Sequence, residues 1–220
     1  GEMARRPELE EFGTKHGLLL LSVADMIAYR LLRERIVVRA ATGSLRPGTL
    51  GPGEPFTAHY YATEVEDTEY LALVRGDVAA ASAAGQPVIV RVAAMDPIAD
   101  PFALRPDLLA AVEVIDAAGL GVLLYVVNRS RMRLRPSFDR LVQQPGAARE
   151  SIAFIQNQTS EALRDFGLGA QVLADLGLKK IRLMIHSDRK IAAIEGFGIE
   201  VVERIPIPSG RGASRRREAQ

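Results

Sequence analysis

The stretch from residue 164 to residue 207 constrains the fold most, because it alternates twice between helix and strand patterns. Apolar residues recur at helical spacing in its first part, and Gly177 follows where a glycine commonly ends a helix. A β-branched run at Ile181–Ile185 predicts a strand, and Ser187 is placed to cap a second short helix. Alternation over Ile199–Ile207 predicts a closing strand. The stretch is therefore predicted to form a helix–strand–helix–strand unit.

The rest of the chain continues the alternation of helices and strands. Helices are predicted at residues 7–16, 24–33 and 107–118, and strands at 18–23, 56–63, 69–75, 88–92 and 122–127. The strands at 56–63 and 69–75 are separated by a short turn and are predicted to form a hairpin. Residues 42–53 contain several glycines and prolines and are predicted to be a loop. The predicted fold class is α/β (mixed α+β), with mixed sheets and packed helices.

Composition excludes several kinds of site and partner. The chain contains no cysteine, so disulfides, cysteine nucleophiles and thiolate metal sites are impossible. Its histidines, His16, His59 and His186, lack the spacing of metal ligands, and no bound metal or other cofactor is predicted. The net charge of +1 favours neither nucleic acid nor membrane as a partner. No apolar run is long enough to span a bilayer, and a cytoplasmic location is predicted.

Four arginines, at positions 129, 131, 133 and 135, alternate along the chain and would point to one side of an extended strand. They could form an anion or partner site, or they could form an ordinary solvated face. Residues 136–158 have little periodicity and are predicted to be a mobile connection. Residues 208–220 form a basic tail without apolar residues to pack, and this tail is predicted to be disordered.

Residues 164–207 closely resemble the C-terminal segment of GTP cyclohydrolase II, which opens the guanine ring in the first step of riboflavin synthesis. The hairpin resembles the opening hairpin of the same family through Leu71–Val74 and the Gly76-Asp77 pair. This resemblance implies a GTP cyclohydrolase II-like domain over residues 34–207. It also implies that the protein forms a homodimer.

The first 33 residues resemble the end of 3,4-dihydroxy-2-butanone 4-phosphate synthase, which makes the other precursor of riboflavin. The resemblance rests on a Gly-x-Met-Ala-Arg-x-Pro-x-Leu order, then His16-Gly17-Leu18, then Asp25–Arg30. In many bacteria that synthase is fused N-terminally to the cyclohydrolase. The resemblance implies that residues 1–33 end a synthase domain, which would be the partner of the cyclohydrolase-like domain within a longer chain. The metal-binding residues of the synthase family lie upstream of this motif, so no synthase activity is expected from these 220 residues alone.

The resemblance to the cyclohydrolase also indicates where a zinc site would lie. In that family, three cysteines after a strand hold a zinc ion, whose bound water attacks the imidazole carbon of GTP. The corresponding positions here are Asp96, Pro106 and Leu108, with one residue deleted between the first two. Proline and leucine cannot bind a metal, and an isolated Asp96 is expected to serve as a turn residue or helix cap. Zinc is therefore predicted to be absent.

The remaining parts of the family's active site are incomplete. The glycine-rich loop that cradles the nucleotide phosphates in the family is replaced by Asn128–Pro136, which contains no glycine. Arg164 matches an arginine thought to act at the α-phosphate, and Lys190 matches a substrate-binding lysine. Each could equally form an ion pair with a nearby carboxylate. No catalytic residue is predicted, and the possible remnants of an anion-binding site are Arg164, Lys190, Arg129 and Arg131.

The leading hypothesis is a non-catalytic GTP cyclohydrolase II-like domain. It would be an accessory, dimerisation or regulatory part of a protein that acts as 3,4-dihydroxy-2-butanone 4-phosphate synthase. A second hypothesis is an allosteric domain that binds a nucleotide or a phosphorylated metabolite. A third is residual or altered enzyme activity, for which the sequence assembles no pair of nucleophile and base.

Overall fold

One mixed, seven-stranded sheet forms the centre of the protein in the computed structural model. The structure describes residues 4–21, 26, 29–31, 33–50, 52–64, 66–129, 132–143, 160–185 and 198–207. The strands are β1 (Val37–Leu45), β2 (Phe56–Thr63), β3 (Thr68–Arg75), β4 (Val88–Ala94), β5 (Gly121–Asn128), β6 (Lys180–Ile185) and β7 (Glu200–Pro206). The helices are α1 (Arg6–His16), α2 (Val78–Ala83), α3 (Pro106–Ala118), α4 (Leu134–Gln143) and α5 (Ser160–Asp175). The described residues between 26 and 33 are also helical.

The strand order is β1-β2-β3-β5-β4-β6-β7. The first four strands in this order pair antiparallel, and β5, β4, β6 and β7 pair parallel. The predicted mixed sheet is thus confirmed, as is the predicted hairpin, in which Tyr61 lies opposite Tyr70. The carboxyl ends of β4, β5 and β6 meet at one edge of the sheet, where ligands bind in open α/β folds.

Apolar side chains cover both faces of the sheet. Leu168 and Val172 of α5 belong to one buried cluster, and Ala111 and Ile115 of α3 belong to the other. Alternate residues of a strand face opposite sides, so the central strand β5 contributes to both clusters. Helix α3 connects β4 to β5 and covers one face of the sheet, and α5 lies between β5 and β6 in the chain and covers the other face.

Two predictions for the N-terminal part were wrong. Residues 18–21 do not form a strand, and all four of these leucines are exposed. The described part of the chain places no strand beside them, and an isolated strand leaves its backbone hydrogen bonds unmade. Residues 42–45 belong to β1 instead of a loop, because they pair with residues 56–59 of β2. Gly43 weakens a strand only slightly when the neighbouring strand supplies the pairing.

The predicted extended strand of alternating arginines was also wrong. Strand β5 ends at Asn128, Arg133 is irregular, and the chain enters α4 at Leu134. Pro136 is compatible with this helix because it lies in the first turn, where its missing N–H removes no hydrogen bond. Helix α4 also replaces the first part of the mobile connection predicted for residues 136–158, and residues 144–158 lie outside the described part.

Several other predictions fall outside the described residues. These are the second short helix after Ser187, the residue Lys190 and the disordered tail at 208–220. Arg164 lies within α5, but the structure describes only its backbone. The other predicted strands and helices are confirmed within a few residues at each end. In the part of the chain that is described, no helix has the length and apolar character needed to cross a membrane.

We expect Gly76→Ala to lower the free energy of unfolding by at least about 2 kcal/mol. Gly76 has a φ of +73°, and an added Cβ would lie 2.5 Å from the carbonyl oxygen of Gly119. Both the left-handed conformation and this contact with rigid backbone oppose a side chain. Denaturant unfolding monitored by circular dichroism measures the change.

Gly43→Ala is the matched control for that substitution. A Cβ at Gly43 would have no neighbour within 4 Å, and its φ lies outside the left-handed region. Its effect should be within about 1 kcal/mol and can be stabilising, because alanine restricts the unfolded chain. Equal losses for the two variants would contradict the close approach of Gly76 to Gly119.

Candidate functional site

The loop between β4 and α3, residues 95–105, lies at the edge of the sheet where the parallel strands end. This loop and the first turn of α3 contain the three positions that correspond to the zinc-binding cysteines of the cyclohydrolase family. Asp96 is in the loop itself, Pro106 is the first residue of α3, and Leu108 lies in the first turn of that helix. The structure therefore places these three residues at the two ends of one loop.

The Asp96 carboxylate holds the turn at the start of this loop. Its Oδ1 accepts hydrogen bonds from the backbone N–H groups of Ile98, at 3.0 Å, and Ala99, at 2.8 Å. The same oxygen accepts a hydrogen bond from Ser137 Oγ in α4, at 2.6 Å. Asp96 is therefore a turn residue, as the sequence suggested, and it also fastens α4 to the loop.

The donor set at this loop does not fit a zinc ion. Oδ1 of Asp96 already accepts three hydrogen bonds, and neither Pro106 nor Leu108 has a side-chain atom that could bind a metal. Among the residues that the structure describes, no group of three His, Asp or Glu side chains could hold a metal ion. A catalytic zinc site needs three protein ligands around one open position.

A largely buried carboxylate, that of Asp100, lies at the centre of the loop, and its side chain is 11% exposed. It accepts hydrogen bonds from the backbone N–H of Asp96, at 2.7 Å, from Arg105 Nη1, at 3.1 Å, and from the hydroxyl of Tyr125. Arg105 Nη1 also donates to the carbonyl oxygen of Ala94, at 2.7 Å. We call Asp96, Asp100, Arg105 and Tyr125, together with Ser137, the Asp100 network. It ties the loop to the ends of β4, β5 and α4.

The hydroxyl of Tyr125 and the guanidinium of Arg105 both donate to the carboxylate of Asp100. Burial of the Tyr125 phenol, together with its hydrogen bond to Asp100, raises the pKa of Tyr125 far above its usual value. Tyr125 is therefore a hydrogen-bond donor at any physiological pH. The guanidinium of Arg105, whose side chain is only 5% exposed, supplies the positive charge that stabilises the largely buried Asp100 carboxylate.

A second buried ion pair lies beside this network. Arg91 Nη2 is 3.5 Å from Asp107 Oδ2, and Arg91 Nη1 donates to the carbonyl oxygen of Met184, at 3.2 Å. Burial, with repulsion from Arg105, lowers the pKa of Arg91 to about 10, although Asp107 opposes the shift. Arg91 stays protonated near neutral pH. Its guanidinium therefore connects β4 to α3 through Asp107 and to β6 through the carbonyl oxygen of Met184.

The cationic residues proposed as remnants of an anion site are not gathered by the described structure. Arg129 Nη2 donates to Glu69 Oε1, at 2.6 Å, and Arg135 forms an ion pair with Asp139 within α4. Arg131 and Lys190 lie outside the described residues, as does the side chain of Arg164. The contacts that are described support the interpretation of Arg129 and Arg135 as partners of surface carboxylates.

Sequence reasoning missed the residues of this site that carry the most contacts. Asp100 and Arg105 lie in the stretch aligned with the zinc cysteines, and Tyr125 lies in the strand before the stretch aligned with the glycine-rich loop. A signal was available, because two aspartates and an arginine within ten residues follow an apolar strand, and an adjacent apolar strand carries a tyrosine. Buried polar groups are almost always paired, so such residues at a strand end predict a polar network.

A cavity of about 450 Å³ lies at the opposite end of the sheet from the loop. Its lining includes Gly76 and Val74 near the end of β3, which pairs with the beginning of β5. His59 also lines it, and burial together with the charge of Arg39 lowers the pKa of His59. Asp175 accepts from Arg39 Nη2, at 2.6 Å, so these charges neutralise each other.

We expect Asp100→Ala to lower the free energy of unfolding by about 3–5 kcal/mol, because it removes the carboxylate that pairs with the buried guanidinium of Arg105. Tyr125→Phe should cost only about 1 kcal/mol, because Asp100 keeps its two other donors. Urea unfolding of each variant at neutral pH gives these differences.

Arg129→Ala is the control for the Asp100 network. Its ion pair with Glu69 is short, but the arginine side chain is 64% exposed, so the loss should be below about 1 kcal/mol. If Asp100→Ala cost no more than Arg129→Ala, the network would contribute nothing beyond an ordinary surface ion pair.

Comparison with known proteins gives consistent matches over most of the chain. Residues 49–206 match the family model described as GTP cyclohydrolase II. The chain is 37% identical over 221 residues to the riboflavin biosynthesis protein RibBA of Aquifex aeolicus. That alignment covers 94% of this chain and 51% of the Aquifex protein. It is 36% identical over 215 residues to RibBA of Nocardia farcinica, covering 94% of this chain and 50% of that protein. The chain thus spans about half the length of these curated relatives.

A solved structure supports the same assignment. RibBX, described as a two-domain 3,4-dihydroxy-2-butanone 4-phosphate synthase from A. baumannii, aligns with a TM-score of 0.60 and 25% sequence identity. The alignment covers 95% of this chain and 51% of that one. Together with the mixed sheet and its crossover helices, these matches confirm the resemblance found in the sequence: the chain belongs to the GTP cyclohydrolase II family.

Proposed function

We propose that this chain is a GTP cyclohydrolase II-type domain that no longer opens GTP and serves as an accessory part of a riboflavin-biosynthesis protein. That protein would act as a 3,4-dihydroxy-2-butanone 4-phosphate synthase. The observation that carries the proposal is the loop after β4. Its cysteine-equivalent positions hold Asp96, Pro106 and Leu108, and a largely buried ion pair between Asp100 and Arg105 lies at its centre.

The chemistry of the loop supports the loss of cyclohydrolase activity. Opening the imidazole ring of GTP needs an activated water, which the family obtains from its zinc ion. The carboxylate of Asp96 is engaged by two backbone amides and a serine hydroxyl. The Asp100 carboxylate is neutralised by Arg105. Among the described residues, neither carboxylate belongs to a group of three side chains that could hold a catalytic metal.

The comparisons support the accessory role in a longer protein. The RibBA relatives are named for riboflavin biosynthesis and are about twice as long as this chain. RibBX is described by its synthase activity alone, although it has two domains. A family member that kept the fold without the metal would leave the synthase as the active part. A homodimer and a cytoplasmic location belong to the same proposal.

We expect no release of formate when the purified protein is incubated with GTP, magnesium and zinc. The reason is that no residue set holds the zinc-bound water. A GTP cyclohydrolase II that is active in the same assay serves as the positive control. Formate release at a comparable rate would overturn the proposal, whereas conversion of ribulose 5-phosphate by the full-length protein is the activity that it requires.

Zinc binding provides a second, independent measurement. Equilibrium dialysis followed by metal analysis should find well below one zinc per chain. Asp96→Ala is the matched control, because it removes the single potential ligand among the cysteine-equivalent positions. Its zinc content should equal that of the unmodified protein. One tightly bound zinc that is lost in Asp96→Ala would contradict the interpretation of Asp96 as a turn residue.

A further inference from the structure

Helix α4 exposes a continuous apolar surface. Leu134, Phe138 and Val142 recur every fourth residue and are 63%, 54% and 57% exposed. Residues four apart lie one above the other on the same side of a helix, so the three form a single strip. We call them the apolar face of α4. Large apolar side chains arranged in this way typically mark a surface that contacts another protein.

The apolar face has a defined boundary on each side. On one side, Ser137 is buried and donates to Asp96, which fixes the helix against the loop after β4. On the other side lie Arg135 and Asp139, whose side chains form an ion pair at 2.8 Å. The helix is therefore anchored along one edge, and its apolar and charged strips are presented to a partner in a fixed orientation.

The loop that anchors α4 exposes further apolar residues. Phe102 and Leu104 are 71% and 46% exposed, and they lie between Asp96 and the start of α3. Burial of such residues on association is favourable, because water is released from their surface. Phe102 and Leu104 therefore add exposed apolar surface at the same end of the sheet as the apolar face of α4.

The charges beside the apolar face are complementary to a second copy of the same face. When two identical helices pack antiparallel, a flank of one helix meets the same flank of the other. Packing centred on Phe138 brings Leu134 of each copy close to Val142 of the other. The same packing brings Arg135 towards the partner copy's Asp139, and the partner copy's Arg135 towards Asp139. Because this flank carries one positive and one negative side chain, the twofold axis produces two ion pairs between the copies.

We propose that α4 packs antiparallel against α4 of a second copy of this chain, with Phe138 at the twofold axis. The self-complementary flank favours a second copy over a partner with charge of a single sign. The proposal takes from the proposed function only the expectation of a dimer and adds its surface. It is tested without any measurement of GTP turnover, so either proposal can fail while the other stands.

The absence of cysteine in the native sequence permits a sharp test by disulfide crosslinking. Phe138→Cys should form a covalent dimer under mild oxidation, because a residue on a twofold axis meets its own copy. Leu134→Cys and Val142→Cys should each fail to link to themselves. In antiparallel packing, residue 134 is displaced by about 12 Å along the axis from its copy, and a disulfide needs Cα atoms within about 7 Å. A mixture of the two variants should form the crosslinked heterodimer.

Phe12→Cys is the matched control, because Phe12 is also 54% exposed but lies in α1. It should crosslink at least tenfold more slowly than Phe138→Cys. Equal rates for these two variants would overturn the proposal. Self-linking of both Leu134→Cys and Val142→Cys would also overturn it, because that result indicates parallel packing.

The charged flank is tested by analytical ultracentrifugation of variants without cysteine. Arg135→Glu should raise the dimer dissociation constant several-fold, because it places two like charges opposite each other. The double variant Arg135→Glu/Asp139→Arg restores opposite signs and should return the dissociation constant towards that of the native protein. Failure of the double variant to recover the dimer would exclude the pairing of these flanks. A circular dichroism spectrum that matches that of the native protein shows that the fold of each variant is intact.

Discussion

The Asp100 carboxylate is the group on which the geometry of the candidate site depends. A buried negative charge is tolerated only when donors and an opposite charge replace the water that it has lost. Asp100 obtains a backbone amide, the guanidinium of Arg105 and the hydroxyl of Tyr125. These donors come from different parts of the chain, so the loop can take only one position relative to β5. An ion pair and a hydrogen-bonded turn thus provide the local order that a metal provides in other proteins.

The elements with a strong local pattern could be predicted from the sequence. Alternating residues in β2 and β3 and the helical periodicity of α5 each depend on burying one face, which is visible in the order of residues. The extension of β1 through residue 45 and the helix α4 could not be predicted in the same way. The first depends on pairing with β2, and the second presents its apolar residues to solvent.

One feature of the site could be predicted from the sequence, namely the turn at Asp96. Comparing residues at 96, 106 and 108 with cysteine positions needs no knowledge of the fold, and it predicted a turn at Asp96 that the structure contains. The Asp100 network joins residues up to 41 positions apart in the chain, and such contacts require the order of the strands. The buried pair of Arg91 and Asp107 was missed for the same reason, because a charged residue inside an apolar strand has no partner in the sequence alone.

The hydrogen bond between Ser137 and Asp96 couples the position of α4 to the loop after β4. A family member that lost its zinc ligands without replacement would have a loose loop, and α4 would lose its anchor. Here the turn at Asp96 receives the hydroxyl of Ser137 at 2.6 Å, so the position of α4 follows that of the loop. The turn at Asp96 therefore helps to fix the surface that α4 presents, including Leu134 and Phe138.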